Sequence, residues 1–204
     1  MKSRKTQLVL DAAGVLIGNL TPLFWEAVAV RSKIDVRGIK HRFKLEMRQE
    51  LWTGQAREED FWVWMENSFP GSDRNELLPV LQRAIQPLPA WYRLEDWSQV
   101  TDLHLLSNHC WEWLAPMLEP MEPFIRSVTI SSRTGYCKPD PAIFRIVETY
   151  FPSGAQVIYV DDQNKNLEAA RSMGWETILA DSGQHWLNSI EELYTAKQKT
   201  SEDS

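Results

Sequence analysis

The chain has 204 residues, 43% hydrophobic and 25% charged, with 9 glycines and 11 prolines. That composition excludes global disorder, collagen-like and low-complexity classes, and the length suffices to bury a core without disulfide or metal staples. The net charge of −6 argues against a nucleic-acid partner, which calls for a concentrated basic face. Cys110 and Cys137 form no disulfide framework and no zinc spacing, so reduced thiols are expected. No apolar run reaches the roughly 18 residues of a membrane helix, so no membrane partner is expected. The basic start Met1–Lys5 leads into an apolar stretch that Asp11 interrupts, which a signal peptide does not tolerate. A cytoplasmic location is the expectation. Ten tryptophans imply a heavily aromatic core or an adhesive pocket, and an exposed tryptophan face would support a dimer.

In chain order, Gln7–Leu10 is a continuous apolar run, the mark of a strand buried on both faces of a parallel sheet. Helical patterns follow. The first starts at Thr21-Pro22 and carries Phe24, Trp25 and Val28; the others span Val36–Trp52, Glu58–Asn67 and Arg74–Ile85. Gly54 and Phe69-Pro70-Gly71 punctuate them. Then strands at Asp102–Leu106, Ser127–Ser131, Gln156–Val160 and Thr177–Ala180 alternate with helices. Asp140-Pro141 opens a helix to about Tyr150 as N-cap and first residue, and Leu167–Met173 stops at Gly174. This order predicts an α/β, Rossmann-like parallel-sheet core of residues 1–16 and 90–204, with an all-helical cap at 17–89. The tail 197–204 is polar and expected to fray.

Functional side chains of open parallel sheets gather at the carboxyl ends of the strands. Those positions hold Asp11, Ser107-Asn108 and Asp161-Asp162, with a Lys138-Pro139-Asp140 turn and Asn166 one turn beyond the last strand end. Each alone is ordinary turn chemistry. Together, three carboxylates repel one another unless a cation sits among them, and hard oxygen ligands without His or Cys point to Mg²⁺. A lysine and a hydroxyl converging on the same cleft suit an anionic group, completing a phosphoryl-transfer set.

In order and spacing, "LVLDAAGVL", "LHLLSN", "GYCKPDPAIF" and "VIYVDDQNKNLEAARSMGW" resemble the four motifs of the haloacid-dehalogenase (HAD) superfamily, subfamily I, with a small helical cap. The resemblance spans nearly the whole chain. It implies a phosphatase-type hydrolase acting on a small phosphorylated metabolite. Asp11 would be the nucleophile that forms an aspartyl-phosphate. Ser107 and the Asn108 backbone would hold phosphoryl oxygens, and Lys138 would neutralise both anions. Mg²⁺ would be bound by Asp11, the Ala13 carbonyl and Asp162, with Asp161 beside it or acting through water. Asn166 would hold that loop in shape.

The chain departs from the motif at Ala13, where most phosphatases of the family carry a second Asp that protonates the leaving oxygen and activates water. Its loss removes roughly 10²–10⁴ in rate. One consequence is a slow phosphatase, with water, the cap or His109 as substitute acid; His109 is also a substrate-binding candidate. Others are a phosphonoacetaldehyde-hydrolase-like enzyme using Lys40 or Lys44 as Schiff base, a metal-free dehalogenase, or a binding and regulatory protein. In the cap, Trp52, Trp62 and Trp64 read as core packing, with Trp52 as the alternative pocket roof. Arg31, Lys33 and Arg42 are candidates for reading a second substrate charge.

Overall fold

A computed structural model describes residues 5–192. The tail 197–204 and residues 1–4 of the basic start lie outside the described residues. Among these residues β1 (Thr6–Leu10), β2 (Thr101–Ser107), β3 (Ile125–Ile130), β4 (Val157–Asp161) and β5 (Glu176–Leu179) form one sheet in the order β3-β2-β1-β4-β5. Every pairing is parallel. Each strand lies within a residue or two of the apolar run that announced it.

Alternation along the strands fills two cores. Leu8, Leu10, Leu103, Leu105, Ile158 and Val160 point to one face, Val9, Leu106 and Tyr159 to the other. Between β1 and β2 run α1 (Leu23–Ser32), α2 (Val36–Glu46), α3 (Arg48–Thr53), α4 (Glu58–Ser68) and α5 (Arg74–Ala84). The chain re-enters the sheet through α6 (Leu94–Val100), and β2 is followed by α7 (Trp111–Leu118). Their residues Leu94, Trp97, Trp113 and Leu114 join the first core. After β3 come α8 (Ser131–Thr134) and α9 (Pro141–Glu148), and after β4 comes α10 (Asn164–Ser172). Phe144 and Val147 of α9, with Leu167 and Ala170 of α10, cover the second face. Asp140 caps α9 as expected, its Oδ1 accepting from the Ala142 N–H at 2.9 Å. The α6 helix was not anticipated; its only core anchors are Leu94 and Trp97.

The stretch Val36–Trp52, expected as one helix, is two. Met47 leaves helical geometry at φ −134°, ψ −37°, although Ile39, Phe43, Met47 and Leu51 keep one buried stripe through the break. The stretch 17–89 therefore holds five α-helices among the described residues, α1 to α5, not four. The break lets α3 run down to α8. There Gly54, at φ +72°, lies so close that a Cβ would sit 2.0 Å from the Ser132 carbonyl oxygen.

The tryptophans pack inward. Trp62 and Phe61 are buried, and Trp62 Nε1 donates to Glu58 Oε1 at 2.9 Å. Trp52, Trp64 and Trp111 are half-buried and the other seven are buried. That removes the exposed face on which a dimer expectation rested. Both cysteines are free thiols.

Candidate active site

The sheet order explains why the acidic residues meet. β1 is central, with β2 on one side and β4 on the other, and strand neighbours lie about 4.8 Å apart. Asp11 follows β1, Ser107 ends β2 and Asp161 ends β4. The crevice over this reversal of strand order is where open α/β sheets place their ligands. Asp11, Asp161 and Asp162 each offer an oxygen within 4.8 Å of the others.

Lys138, only 3% exposed, reaches into the cluster from the turn before α9. Its Nζ lies 2.9 Å from Asp11 Oδ2 and 2.7 Å from Asp161 Oδ2, and donates to the Leu106 carbonyl at 3.0 Å. Burial works against its charge, but the two carboxylates raise its pKa. Asn108 sets its position. The Asn108 Oδ1 accepts from the Lys138 N–H at 2.7 Å, and its Nδ2 donates to the Lys138 carbonyl at 2.9 Å. That side chain is committed first to the lysine turn, and Asn108 also borders the cavity.

Asp11 Oδ1 accepts from the Ala12 N–H at 2.6 Å and from Ser107 Oγ at 2.8 Å. Burial raises its pKa to about 7, against the pull of Lys138 and with the push of Asp161. Ser107 is thus bonded to the carboxylate, and its hydroxyl must rotate to serve another anion.

The two acids after β4 divide their work. Asp161, fully buried, accepts from Lys138, from the Gln163 N–H at 2.8 Å, from Asn166 Nδ2 at 3.0 Å and from the Tyr159 hydroxyl. A carboxylate has about four lone-pair sites, so Asp161 has little left for a metal. These bonds give Asp161 a positioning role for the lysine, while it stays in the acidic cluster beside a metal position, as expected of a residue acting through water. Lys138 and these hydrogen bonds hold its pKa down in spite of burial. Asp162 is the opposite case. Its Oδ1 is buried with no hydrogen-bond partner, and burial, then the Asp161 charge, raise its pKa. Three carboxylates face one ammonium, and one acceptor is left bare. That donor set fits a hard divalent cation.

The loop after β1 is shaped around this acid. Gly14, at φ +84°, would place a Cβ 2.4 Å from Asp162 Oδ2, so only glycine fits. The carbonyls of Ala12 and Ile17 receive the loop's hydrogen bonds, and Ala13 lines the cavity above Asp11.

That cavity, about 510 Å³, is bordered by Asp11, Ala13, Asn108, His109 and Lys138 below and by Trp25, Phe43, Arg48 and Trp52 of the helical segment above. Trp52 packs against the core and also lines the cavity's upper wall. His109 stacks on it at 5.5 Å and 22°. Burial lowers the His109 pKa to about 4, so at neutral pH it carries no proton to spare as an imidazolium acid. Lys40 and Lys44 border a separate, outer hollow and not this cavity. Arg31 pairs with Glu76 at 3.2 Å, Arg42 with Glu46 at 2.9 Å, and neither they nor Lys33 line it. Arg48, Lys165 and Asn19 do. Arg48 was legible only as the residue after a helix break no pattern signalled. Tyr159 had a signal: two residues before Asp161 on one strand, it shares that acid's face.

The sequence matches no protein-family model and no curated protein. Solved structures do match. A protein from Porphyromonas gingivalis described as a predicted HAD-like family hydrolase superposes with a TM-score of 0.76 at 21% identity, over 94% of this chain and 98% of its own. The chain has the HAD-like hydrolase fold. A HAD family enzyme from Bacteroides thetaiotaomicron, in complex with magnesium and inorganic phosphate, matches at TM-score 0.73 and 20% identity, over 89% of this chain and 97% of that one. A dehalogenase matches at 0.61 and 20%, over 96% and 98%. Within the HAD-like fold the carboxylate cluster occupies the strand-end crevice described above. No helix among the described residues is long and apolar enough to cross a membrane.

Proposed function

We propose that the protein is a Mg²⁺-dependent phosphomonoester hydrolase that transfers the phosphoryl group to Asp11 and then to water. The observation that carries this reading is the buried Asp162 Oδ1 without a hydrogen-bond partner, on a carboxylate that clusters with Asp11. A metal-free dehalogenase has no use for that oxygen, whereas a magnesium ion would take it together with Asp11 and the Ala13 carbonyl. The neighbour crystallised with magnesium and phosphate supports the same assignment. When bound, the ion supplies charge neutralisation for a phosphoryl group that must approach an anion.

The chain's own residues do the rest. Lys138 favours the ionised form of Asp11 against the effect of burial and draws the phosphoryl oxygens toward it. Asp161 and Asn108 fix the lysine, and Ser107 turns from Asp11 to a phosphoryl oxygen. Asp11 attacks phosphorus, the P–O bond to the leaving group breaks, and water later cleaves the new acyl-phosphate bond. Ala13 offers no proton for the first departure and no base for the second step, so poor leaving groups are handled slowly. With a retained nucleophile the same site could also hold phosphate without turnover. 4-Nitrophenyl phosphate separates these outcomes: slow hydrolysis with Mg²⁺, lost with EDTA and in Asp11→Asn, is expected. Binding of phosphate without hydrolysis of any ester would leave a sensor, and chloride release from 2-chloropropionate without metal would establish a dehalogenase.

A further inference from the structure

The cavity is far larger than phosphate requires. A water occupies about 30 Å³ of liquid, and the cavity measures about 510 Å³, within the range of small-molecule sites. Its floor is charged, but its upper wall is aromatic. Trp25 and Phe43 meet at 4.9 Å, Phe43 and Trp52 at 5.9 Å, and Trp52 stacks on His109. A small polyol would leave this wall unmatched, whereas a planar apolar body would stack on the half-buried Trp52.

The second feature is an unbalanced cation. Arg31, Arg42, Arg57 and Arg74 of the helical segment each pair with a carboxylate. Arg48, half-buried and lining the cavity, makes no ion pair among the described residues. Nor does Lys165 on the opposite rim. Among the described residues the only carboxylate bordering the cavity is Asp11, already held by Lys138. Arg48, Trp25 and Phe43 also border an outer hollow of about 450 Å³, which has Lys40 and Lys44 on its rim and no acidic residue. In a chain of net charge −6, Arg48 thus stands between Lys138 of the inner cavity and Lys40 and Lys44 of the outer hollow.

We propose that the substrate is an aryl or similarly planar phosphomonoester bearing a second negative charge at the end remote from phosphorus, and that Arg48 reads that charge. The inference rests on the phosphoryl-transfer reading of the cavity floor. Trp52 stacks the planar body, and Arg48 offers its guanidinium fork to the distal carboxylate or phosphate.

Calorimetry with three phosphonates that cannot be hydrolysed, in the presence of Mg²⁺, tests it. Expected affinities run 4-carboxybenzylphosphonate over benzylphosphonate over propylphosphonate. The carboxylate should contribute roughly tenfold or more, as a charge-assisted hydrogen bond does. The ring should contribute roughly three- to tenfold. Arg48→Gln should abolish the carboxylate advantage while leaving benzylphosphonate within about twofold, and Trp52→Leu should abolish the ring advantage. Equal binding of the three ligands by the wild type, or an equal loss for all of them in Arg48→Gln, would overturn the proposal. Selective binding with no hydrolysis of any ester would instead sink the hydrolase reading and overturn the substrate assignment with it, leaving Arg48 and Trp52 as readers of a bound ligand. Absence of any phosphonate binding would defeat both.

Discussion

Replacing Lys138 with Met removes one ammonium from between two carboxylates. Asp11 and Asp161 are 4% and 0% exposed, and the lysine lies within 2.9 Å of one and 2.7 Å of the other. Stranding a buried charge by deleting its partner costs about 3–5 kcal/mol, a large share of the roughly 5–15 kcal/mol that holds a domain together. In a chain of this size that lowers the melting temperature by about 6–20 °C. The loss must depend on pH. Asp11 already titrates at about 7 with the lysine present, because burial raises it, and without the lysine it rises further. From about pH 9 down to about pH 7 the folded variant then takes up on Asp11 a proton that the unfolded chain lacks. Its stability therefore increases as pH falls, recovering about 1.4 kcal/mol per pH unit over which that proton is held. Urea titrations of wild type and Lys138→Met at both pH values measure this. A loss below about 1 kcal/mol at the higher pH, or one that does not shrink at the lower, would refute the electrostatic account of the site.

Other consequences are as direct. Gly14→Ala should weaken magnesium binding well over tenfold in calorimetry, because the new methyl collides with Asp162 Oδ2 at 2.4 Å; unchanged affinity would show that Asp162 is not a ligand. Ala13→Asp should raise turnover of alkyl phosphates, by up to roughly 10²-fold, with little effect on 4-nitrophenyl phosphate. Equal effects on both esters would mean that leaving-group protonation is not what the chain lacks. His104, bonded to Ser127 Oγ at 2.7 Å and Gln7 Oε1 at 2.9 Å, has its pKa lowered by burial to about 4. Below the unfolded value of 6.5 the unfolded chain takes a proton that the folded chain refuses. Wild type should therefore lose about 3 kcal/mol relative to His104→Gln as pH falls from about 7 to about 4. Parallel stability curves for the two proteins would contradict this.

Most of the fold was legible because continuous apolar runs and cap signals are local. Asp140-Pro141 announced α9, and the strands lay where Val, Ile and Leu cluster. The break at Met47 was not legible, since the stripe Ile39, Phe43, Met47 and Leu51 continues through it; the contact of Gly54 with Ser132 is a tertiary constraint. In the site, Asp11, Lys138 and Asp162 were legible from strand-end position and motif order. The resemblance already set Asp162 on the metal and Asp161 beside it; the bonds of Asp161 to Lys138, Tyr159 and Asn166 were not legible, because they depend on side chains that only the fold brings together. Arg48 and Asn19 come from the helical segment and the loop before it, and which of their side chains face the cleft depends on how that segment packs.

The most direct measurement is the site of covalent labelling. The protein mixed with 4-nitrophenyl phosphate and Mg²⁺, quenched in acid within milliseconds and mapped by mass spectrometry, should carry one phosphoryl group on Asp11. With Ala13 in place of a base, the label should accumulate, because the good leaving group departs faster than water can be activated. It should be absent in Asp11→Asn and without Mg²⁺. Steady turnover with no label on Asp11, or a label on any other residue, would contradict the account.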